Sequence, residues 1–487
     1  MRLSDLMNGD TNPGQGVNIS GLTADSREVQ PGYLFAAIPG TSLDGRRFIS
    51  DAIQRGAVAV LAPPSPTIAL DRDDICLISD TNPRGRLARM AARFFETQPR
   101  SIAAITGTNG KTSVADFLRQ IWTFAGHRAA SLGTIGLVAD GHPHGPGLTT
   151  PDPVEMHRLL HELADDGFDH LAIEASSHGL DQYRLDGLRV GLAAFTNLSR
   201  DHLDYHADMD AYLDAKLRLF EEIMAPGGTA VVNIDAPEAR RVTDACRRRG
   251  HRLITFGTTP GADIRLANRQ TLQTGQFLDL IVFQRSRLVK LPLMGDFQAM
   301  NALAALSLAL GDGMPLDTAI DALGQLQGVP GRMQRVAESA DGAPILVDYA
   351  HTPDALKTVL AAIRPHVTGR LRVVFGCGGD RDPGKRPLMG RAVAEGADVA
   401  ILTDDNPRTE DASEIRRQTL EGCPDATEIG ERADAIRVGI ETLGPDDALV
   451  IAGKGHEPGQ IVGSETLPFD DTDVARNIAI KLGGRSI

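Results

Sequence analysis

Short apolar runs that end in polar or glycine-rich loops recur along this chain and alternate with amphipathic helical segments. LAIEA (171–175), LAAFTNL (192–198) and TAVVNID (229–235) form one series. PILVDYA (344–350), LRVVFGCG (371–378), VAILTDD (399–405) and ALVIAGKG (448–455) form a second. Alternation of this kind implies parallel strands joined by crossover helices, so the fold class is α/β. A chain of 487 residues is too long for one hydrophobic core. Boundaries are expected near residues 98 and 331, giving domains over 1–98, 99–330 and 331–487. The first holds the strand-like runs LFAAI (34–38), AVAVLA (57–62) and ICLIS (75–79), then a helix over 84–95. Residues 259–293 read as irregular or antiparallel strands and 299–310 as a helix.

Composition narrows the class further. Hydrophobic residues at 42% and charged residues at 23%, without repeats or low-complexity runs, indicate an ordinary globular protein. A net charge of −14 argues against a nucleic-acid partner, which needs a basic footprint. MRLSDLMNGD has no apolar signal-peptide core, and the apolar run Ala299–Leu310 is too short to span a bilayer. Cys76, Cys246, Cys377 and Cys423 lie far apart with no CxxC, against a disulfide framework or zinc ribbon. A soluble cytoplasmic protein is expected.

The loops carry the chemistry. Gly107-Thr108-Asn109-Gly110-Lys111-Thr112-Ser113 follows a strand (Ile102–Thr106) and opens a helix, the context of a phosphate-binding loop. Glycines let backbone N–H groups approach phosphate, Lys111 supplies a charge and Thr112 a hydroxyl for magnesium. Ile105 stands where the usual pattern has its first glycine. Glu174, at the end of a neighbouring strand, is the natural acid for that metal, and His202 can add a ligand. Capping of the following helices is the alternative reading of these polar residues. In the second block, Arg381 and Arg408 can fork onto carboxylates, while Asp405 and Glu457 can accept from ammonium groups. Such a set suits a zwitterion.

Within MDAYLDAKLRLFEEI (209–223), at about 100° per residue, Lys216 falls near the middle of the apolar face. A cation there is costly unless paired or neutralised. A desolvated lysine has a depressed pKa and a nucleophilic amine; the alternative is a stem that snorkels to the surface.

Taken in order, TGTNGKT, EASSHGL, TNLSRDHLDYH, GRMQRV, VDYAHTP, GCGGDRDPGKRP, DDNPR and AGKGHE resemble the Mur ligases over nearly the whole chain. The resemblance implies a small N-terminal α/β domain for a UDP-linked substrate, a central P-loop-type ATPase with a parallel or mixed sheet, and a C-terminal Rossmann-like domain for an amino acid. It implies phosphoryl transfer from ATP, with Mg2+, to the D-glutamate carboxylate of UDP-N-acetylmuramoyl-L-alanyl-D-glutamate. Attack by an amino acid on the acyl phosphate then extends the peptidoglycan precursor. Small-molecule substrates, no nucleic acid, no membrane insertion and a monomer are expected.

Carried over by motif, residues 107–113 with Asn301, Arg332 and Asp348 would hold ATP. Thr112, Glu174, His202 and a carbamylated Lys216 would surround the metal, with Lys111 also catalytic. Ala24, Ser26, Thr41, Ser42, Leu43, Thr149, Thr150, Ser176, Gln182 and Arg184 would meet the UDP substrate. Arg381, Asp405, Asn406, Pro407, Arg408, Gly453 and Glu457 would meet the amino acid. The tetrapeptide Asp405–Arg408 resembles the version found in enzymes that take meso-diaminopimelate rather than lysine. An arginine gives the second carboxylate of diaminopimelate a partner. Folylpolyglutamate synthase, a related ligase, lacks a domain before the phosphate loop, so the hundred residues ahead of Gly107 count against it.

Overall fold

The computed structural model describes every residue except 9–15, 41–42, 65–73, 143–148 and 204. The chain forms two compact units, Met1–Phe256 with Ser307–Met314, and Gly257–Leu306 with Pro315–Ile487.

The first unit opens with a parallel sheet in the order Gly21–Thr23, Tyr33–Ala36, Ala59–Ala62, Cys76–Ser79. Both faces are buried: Leu34 and Leu61 pack with Leu3, Leu6, Leu87 and Met90, while Phe35 and Val60 pack with Ile49 and Ala52. The helix Pro83–Phe95 starts on Asn82, whose side chain accepts the Gly85 N–H at 3.0 Å, with proline in the first turn.

The larger sheet of this unit runs Arg252–Gly257, Thr229–Asn233, Leu192–Phe195, Ser101–Thr106, His170–Glu174, Ala129–Gly133, Gly136–Val138. All neighbours are parallel except the last pair. Strand Ser101–Thr106 lies between two later strands, so its carboxyl end opens where connections leave in opposite directions, the usual place for a ligand.

The expected helix over 209–223 changes character part-way. It is α-helical over Met209–Arg218, then widens to a π-turn over Leu219–Ile223. Its cause is a side chain from outside the helix. His251 Nε2 lies 2.8 Å from the Phe220 carbonyl and takes the place of the Met224 N–H, which bonds Leu219 instead at 2.9 Å.

In the second unit, residues 264–291 form an antiparallel meander of strands Ile264–Leu272, Gly275–Val282 and Arg285–Leu291. The helix expected at 299–310 runs Asp296–Gly311, its residues from Ser307 onward belonging to the first unit. A further sheet has the order Thr427–Glu428, Val399–Leu402, Leu371–Phe375, Ala448–Ala452, Pro344–Asp348, Gln334–Glu338, Arg485–Ser486. Its first five strands are parallel. Leu356, Leu360, Met389, Val393 and Ile415 cover one face, and Ile436, Ile440, Ala475 and Ala479 the other. A parallel sheet covered on both sides explains the almost continuous apolar strands ILV, VVF and LVIA.

Candidate active site

Strand Ser101–Thr106 runs into Gly107, where φ is +147° and an added Cβ would lie 2.0 Å from Thr196 Oγ1. Only glycine fits. Gly110, at φ +86°, is the N-cap of helix Lys111–Phe124 and supplies no side-chain cap. The first-turn N–H groups therefore face outward as donors for an anion. The neighbouring strand's end clamps the loop. Thr108 N–H donates to Asn197 O at 2.9 Å, Asn109 N–H to Asn197 Oδ1 at 3.0 Å, and Ser199 N–H to Thr108 Oγ1 at 2.9 Å.

Two lysines converge on this loop. Lys111 donates to the carbonyls of Gly107 at 3.0 Å and Thr108 at 2.7 Å. Lys216 donates to the same Gly107 carbonyl at 2.9 Å, and its Nζ sits 4.3 Å above the Tyr212 ring. The Lys216 residue is only 1% exposed, so its stem does not snorkel out. Burial, then the Lys111 charge, hold its pKa well below the ordinary lysine range, with Asp201 opposing.

Glu174 pairs with Ile105 across the strands and is buried. Its carboxylate accepts the Thr134 N–H at 2.7 Å and the Thr134 hydroxyl at 3.3 Å. Thr149 Oγ1 lies 3.1 Å from Thr134 Oγ1, and Thr150 Oγ1 bonds the Glu174 carbonyl and Ser176 Oγ, each at 2.9 Å. Arg184 donates to Thr150 O and Gln182 Oε1, each at 2.7 Å. Gln182 and Arg184, with Ala24, Ile38, Arg84 and Asp152, line a cavity of about 220 Å³. Six of the expected UDP-substrate residues thus share one neighbourhood. Ser26 is buried in the turn Ser26–Glu28, while Leu43 is exposed. Thr41 and Ser42 lie outside the described residues.

His202 sits at φ +53° in a group of rings, 4.9 Å from His178 and 6.1 Å from Tyr212. Among the described residues, no cluster of three histidine or carboxylate ligand atoms combines it with Glu174. The oxygen donors nevertheless suit a hard dication. Thr112 is buried beside the loop, and the buried hydroxyls of Thr106 and Ser177 have no hydrogen-bond partner among the described residues.

In the second unit, Asn301, Arg332 and Asp348 belong to one chain of contacts. Asn301 Nδ2 donates to Gln298 Oε1 at 3.0 Å, and Gln298 Nε2 to Arg332 O at 3.3 Å. Met333 and Ala350 N–H groups both donate to the Asp348 carboxylate at 2.7 Å. Burial raises the Asp348 pKa, opposed by Arg332 and those two N–H groups. The Arg332 guanidinium lies 4.9 Å over the Tyr349 ring.

The zwitterion residues follow the ends of strands Leu371–Phe375, Val399–Leu402 and Ala448–Ala452. Asn406 Nδ2 donates to Glu457 Oε2 at 3.0 Å, and Arg408 Nη1 to Gly379 O at 2.8 Å. The rest of the Arg408 fork has no acceptor among the described residues. Gly379 is packed so closely that a Cβ would come 1.9 Å from Pro407 O, and one on Gly453 would lie 2.9 Å from Asp405 Oδ2. Arg381 is exposed next to Gly378. Lys454, given no role from the sequence, is fully buried and donates to Asn406 Oδ1 at 3.1 Å and Glu457 Oε2 at 3.3 Å. Its signal was present: a lysine in a glycine-containing loop that follows a strand, as with Lys111. A second cavity, about 320 Å³ and lined by Met294, Leu326, Arg335 and Arg476 among others, holds none of the expected site residues.

Comparison with known proteins decides the family. The Mur ligase middle domain matches residues 105–309, the Mur ligase glutamate ligase domain residues 331–455, and the Mur ligase family catalytic domain residues 18–95. The chain belongs to the Mur ligase family. A UDP-N-acetylmuramoyl-L-alanyl-D-glutamate--2,6-diaminopimelate ligase from Bradyrhizobium diazoefficiens is 50% identical over 477 residues, covering 97% of each chain. One from Agrobacterium fabrum is 47% identical over 475 residues, covering 97% of this chain and 95% of its own. A solved structure of a ligase of that name superposes with TM-score 0.75 at 34% identity, covering 99% of each chain. This Mur ligase has the family's three-part α/β architecture, and the match over 18–95 removes the folylpolyglutamate synthase reading. It is an ATP-dependent ligase. No helix among the described residues is long and apolar enough to cross a membrane.

Proposed function

We propose that this Mur ligase joins meso-2,6-diaminopimelate to UDP-N-acetylmuramoyl-L-alanyl-D-glutamate, cleaving ATP to ADP and phosphate, during peptidoglycan precursor synthesis. It acts as a cytoplasmic monomer, with residues 1–98 holding the UDP substrate, 99–330 the nucleotide and 331–487 the amino acid. The observation that carries the reading is the loop set at Asp405–Arg408. Asn406, Lys454 and Glu457 lock the loop, leaving one side of the Arg408 fork to a carboxylate. Diaminopimelate has a second carboxylate to offer there and lysine does not. Arg381 and Asp405 meet the remaining charges of the zwitterion, with Pro407 and Gly453 shaping the approach.

A D-glutamate carboxylate oxygen attacks the γ-phosphorus of ATP and ADP leaves, making an acyl phosphate. The deprotonated amine of diaminopimelate attacks its carbonyl carbon, and phosphate departs with one original carboxylate oxygen. Residues 107–113 hold the phosphates through first-turn N–H groups and Lys111. Asn301, Arg332 and Asp348 position the nucleotide. Ala24, Ser26, Thr41 to Leu43, Thr149, Thr150, Ser176, Gln182 and Arg184 hold the UDP substrate. Bound magnesium would neutralise charge between phosphate and carboxylate, held by Thr112, Glu174, His202 and carbamylated Lys216. The neutral Lys216 amine adds to carbon dioxide, forming an N–C bond and releasing one proton. A neutral amine beside Lys111 becomes an anion.

The test uses substrate labelled with ¹⁸O in its D-glutamate carboxylates, together with ATP, magnesium and diaminopimelate. Mass spectrometry should find the tripeptide product and one ¹⁸O in each released phosphate. No product would overturn the function; product with unlabelled phosphate would overturn the acyl-phosphate route.

A further inference from the structure

The central strand that ends in Glu174 begins in a different chemical cluster. Over its five residues at about 3.3 Å each, the two lie at opposite edges of the sheet. At the amino end stand His127, Asp169 and His170, whose ligand atoms all fall within 4.8 Å of one another. No role described above uses them.

We propose that these three residues form a zinc-type metal site. His170 is 2% exposed, and its Nδ1 lies 2.9 Å from Asp169 Oδ1. The two atoms stand at ion-pair distance, but the approach lacks hydrogen-bond geometry: both are buried and neither has a hydrogen-bond partner among the described residues. Two donors this close with no hydrogen directed between them are arranged as neighbouring ligands of one ion.

The other side of the imidazole supports the same assignment. His170 Nε2 lies 3.0 Å from Asp312 Oδ2. Asp312 is itself held by Trp122 Nε1 at 3.0 Å and Ser101 Oγ at 2.7 Å. A carboxylate fixed in this way takes the Nε2–H and leaves the Nδ1 lone pair toward Asp169 and His127, the carboxylate–histidine–metal arrangement. His127 Nδ1 stands 3.4 Å from Asp169 Oδ2, and its ring centroid 4.0 Å from that of His170.

Charge and ligand type select the ion. Asp169 and Asp312 bring two negative charges beside His170, which a dication matches. Two nitrogens and one oxygen, with a fourth position open to water, suit Zn2+ or Co2+ rather than Mg2+, which demands an octahedron of oxygens. His127 and Asp169 are 36% and 43% exposed at the side chain, so the ion has a way in. Bound there, it would tie the turn after helix Lys111–Phe124 to the start of strand His170–Glu174, behind the nucleotide loop.

The test uses the full-length chain, stripped with chelator and then saturated with magnesium and ADP. Dialysis against Zn2+ followed by elemental mass spectrometry should give one zinc per chain, and Co2+ should give a tetrahedral visible absorption band. The doubly substituted His127→Gln, Asp169→Asn variant changes only partly exposed positions. It should bind zinc about a hundred-fold more weakly, with no cobalt band and no zinc-induced rise in Tm. Equal zinc binding by both proteins would overturn the site. So would no zinc on the wild type, leaving His170 as an imidazolium between two carboxylates.

Discussion

Lys216 shows what one residue can reveal and what it withholds. Its place on the apolar face of helix Met209–Arg218 was legible from the helical period alone, and burial to 1% exposure agrees. Its partner was not legible, because the Gly107 carbonyl is 109 residues away in sequence. Lys454 was hidden differently, inside a motif whose other members already had roles. Replacing Lys216 with Ala should lower kcat at least about a hundred-fold, with partial recovery in added formate or acetate. Full activity in Lys216→Ala would contradict the carbamate. His157 supplies a pH test. Burial pushes its pKa down to about 4 while Nε2 holds Asp186 O at 3.1 Å, so the folded protein keeps it neutral. Unfolded, it takes up a proton near its ordinary 6.5. A depressed folded value means stability is present above that pH and is lost as pH falls toward 4. Between pH 7 and pH 5 the wild type should lose about 2 kcal/mol more than His157→Gln, measured by urea unfolding. Equal losses would show that the histidine does not titrate as described.

At the scale of elements, period and punctuation carried most of the information. The helix expected over 84–95 runs Pro83–Phe95, and GTNGKT joined strand to helix as expected. The π-turn at Leu219–Ile223 was not legible, because it depends on His251 reaching a carbonyl 31 residues away. Gly107→Ala puts a methyl group 2.0 Å from Thr196 Oγ1 at a backbone angle alanine avoids. ADP affinity by calorimetry should fall at least about tenfold while the fold persists, since the loop lies at the sheet's rim; unchanged affinity would contradict the cradle. In the second unit, Arg432 and Asp471 form a fully buried pair at 2.6 Å, and Arg432 also holds Ala452 O at 3.0 Å. This pair fixes the start of helix Asp471–Lys481 against the strand that leads into the Gly453–Glu457 loop. Asp471→Asn leaves the buried guanidinium without its countercharge and should cost about 3–5 kcal/mol in denaturant unfolding. A cost below about 1 kcal/mol would mean the pair is dispensable.

For the whole molecule, alternation of strand and helix was enough to give the α/β class, because parallel sheets covered on both faces leave continuous apolar runs. Ordered motifs gave the family. Long-range polar networks were not legible: Asp312 meets His170, Trp122 and Ser101 only in three dimensions. The Arg408 fork predicts that the amino acid, not the nucleotide, limits which product forms. Arg408→Met should lower kcat/KM for diaminopimelate about a hundred-fold and affect that for lysine far less. The most direct measurement is phosphate release by the wild-type chain with ATP, magnesium and UDP-N-acetylmuramoyl-L-alanyl-D-glutamate, with each amino acid supplied in turn. Steady release with meso-diaminopimelate and little with lysine or with no amino acid is the predicted result. Equal release with lysine, or release that needs no amino acid, would contradict it.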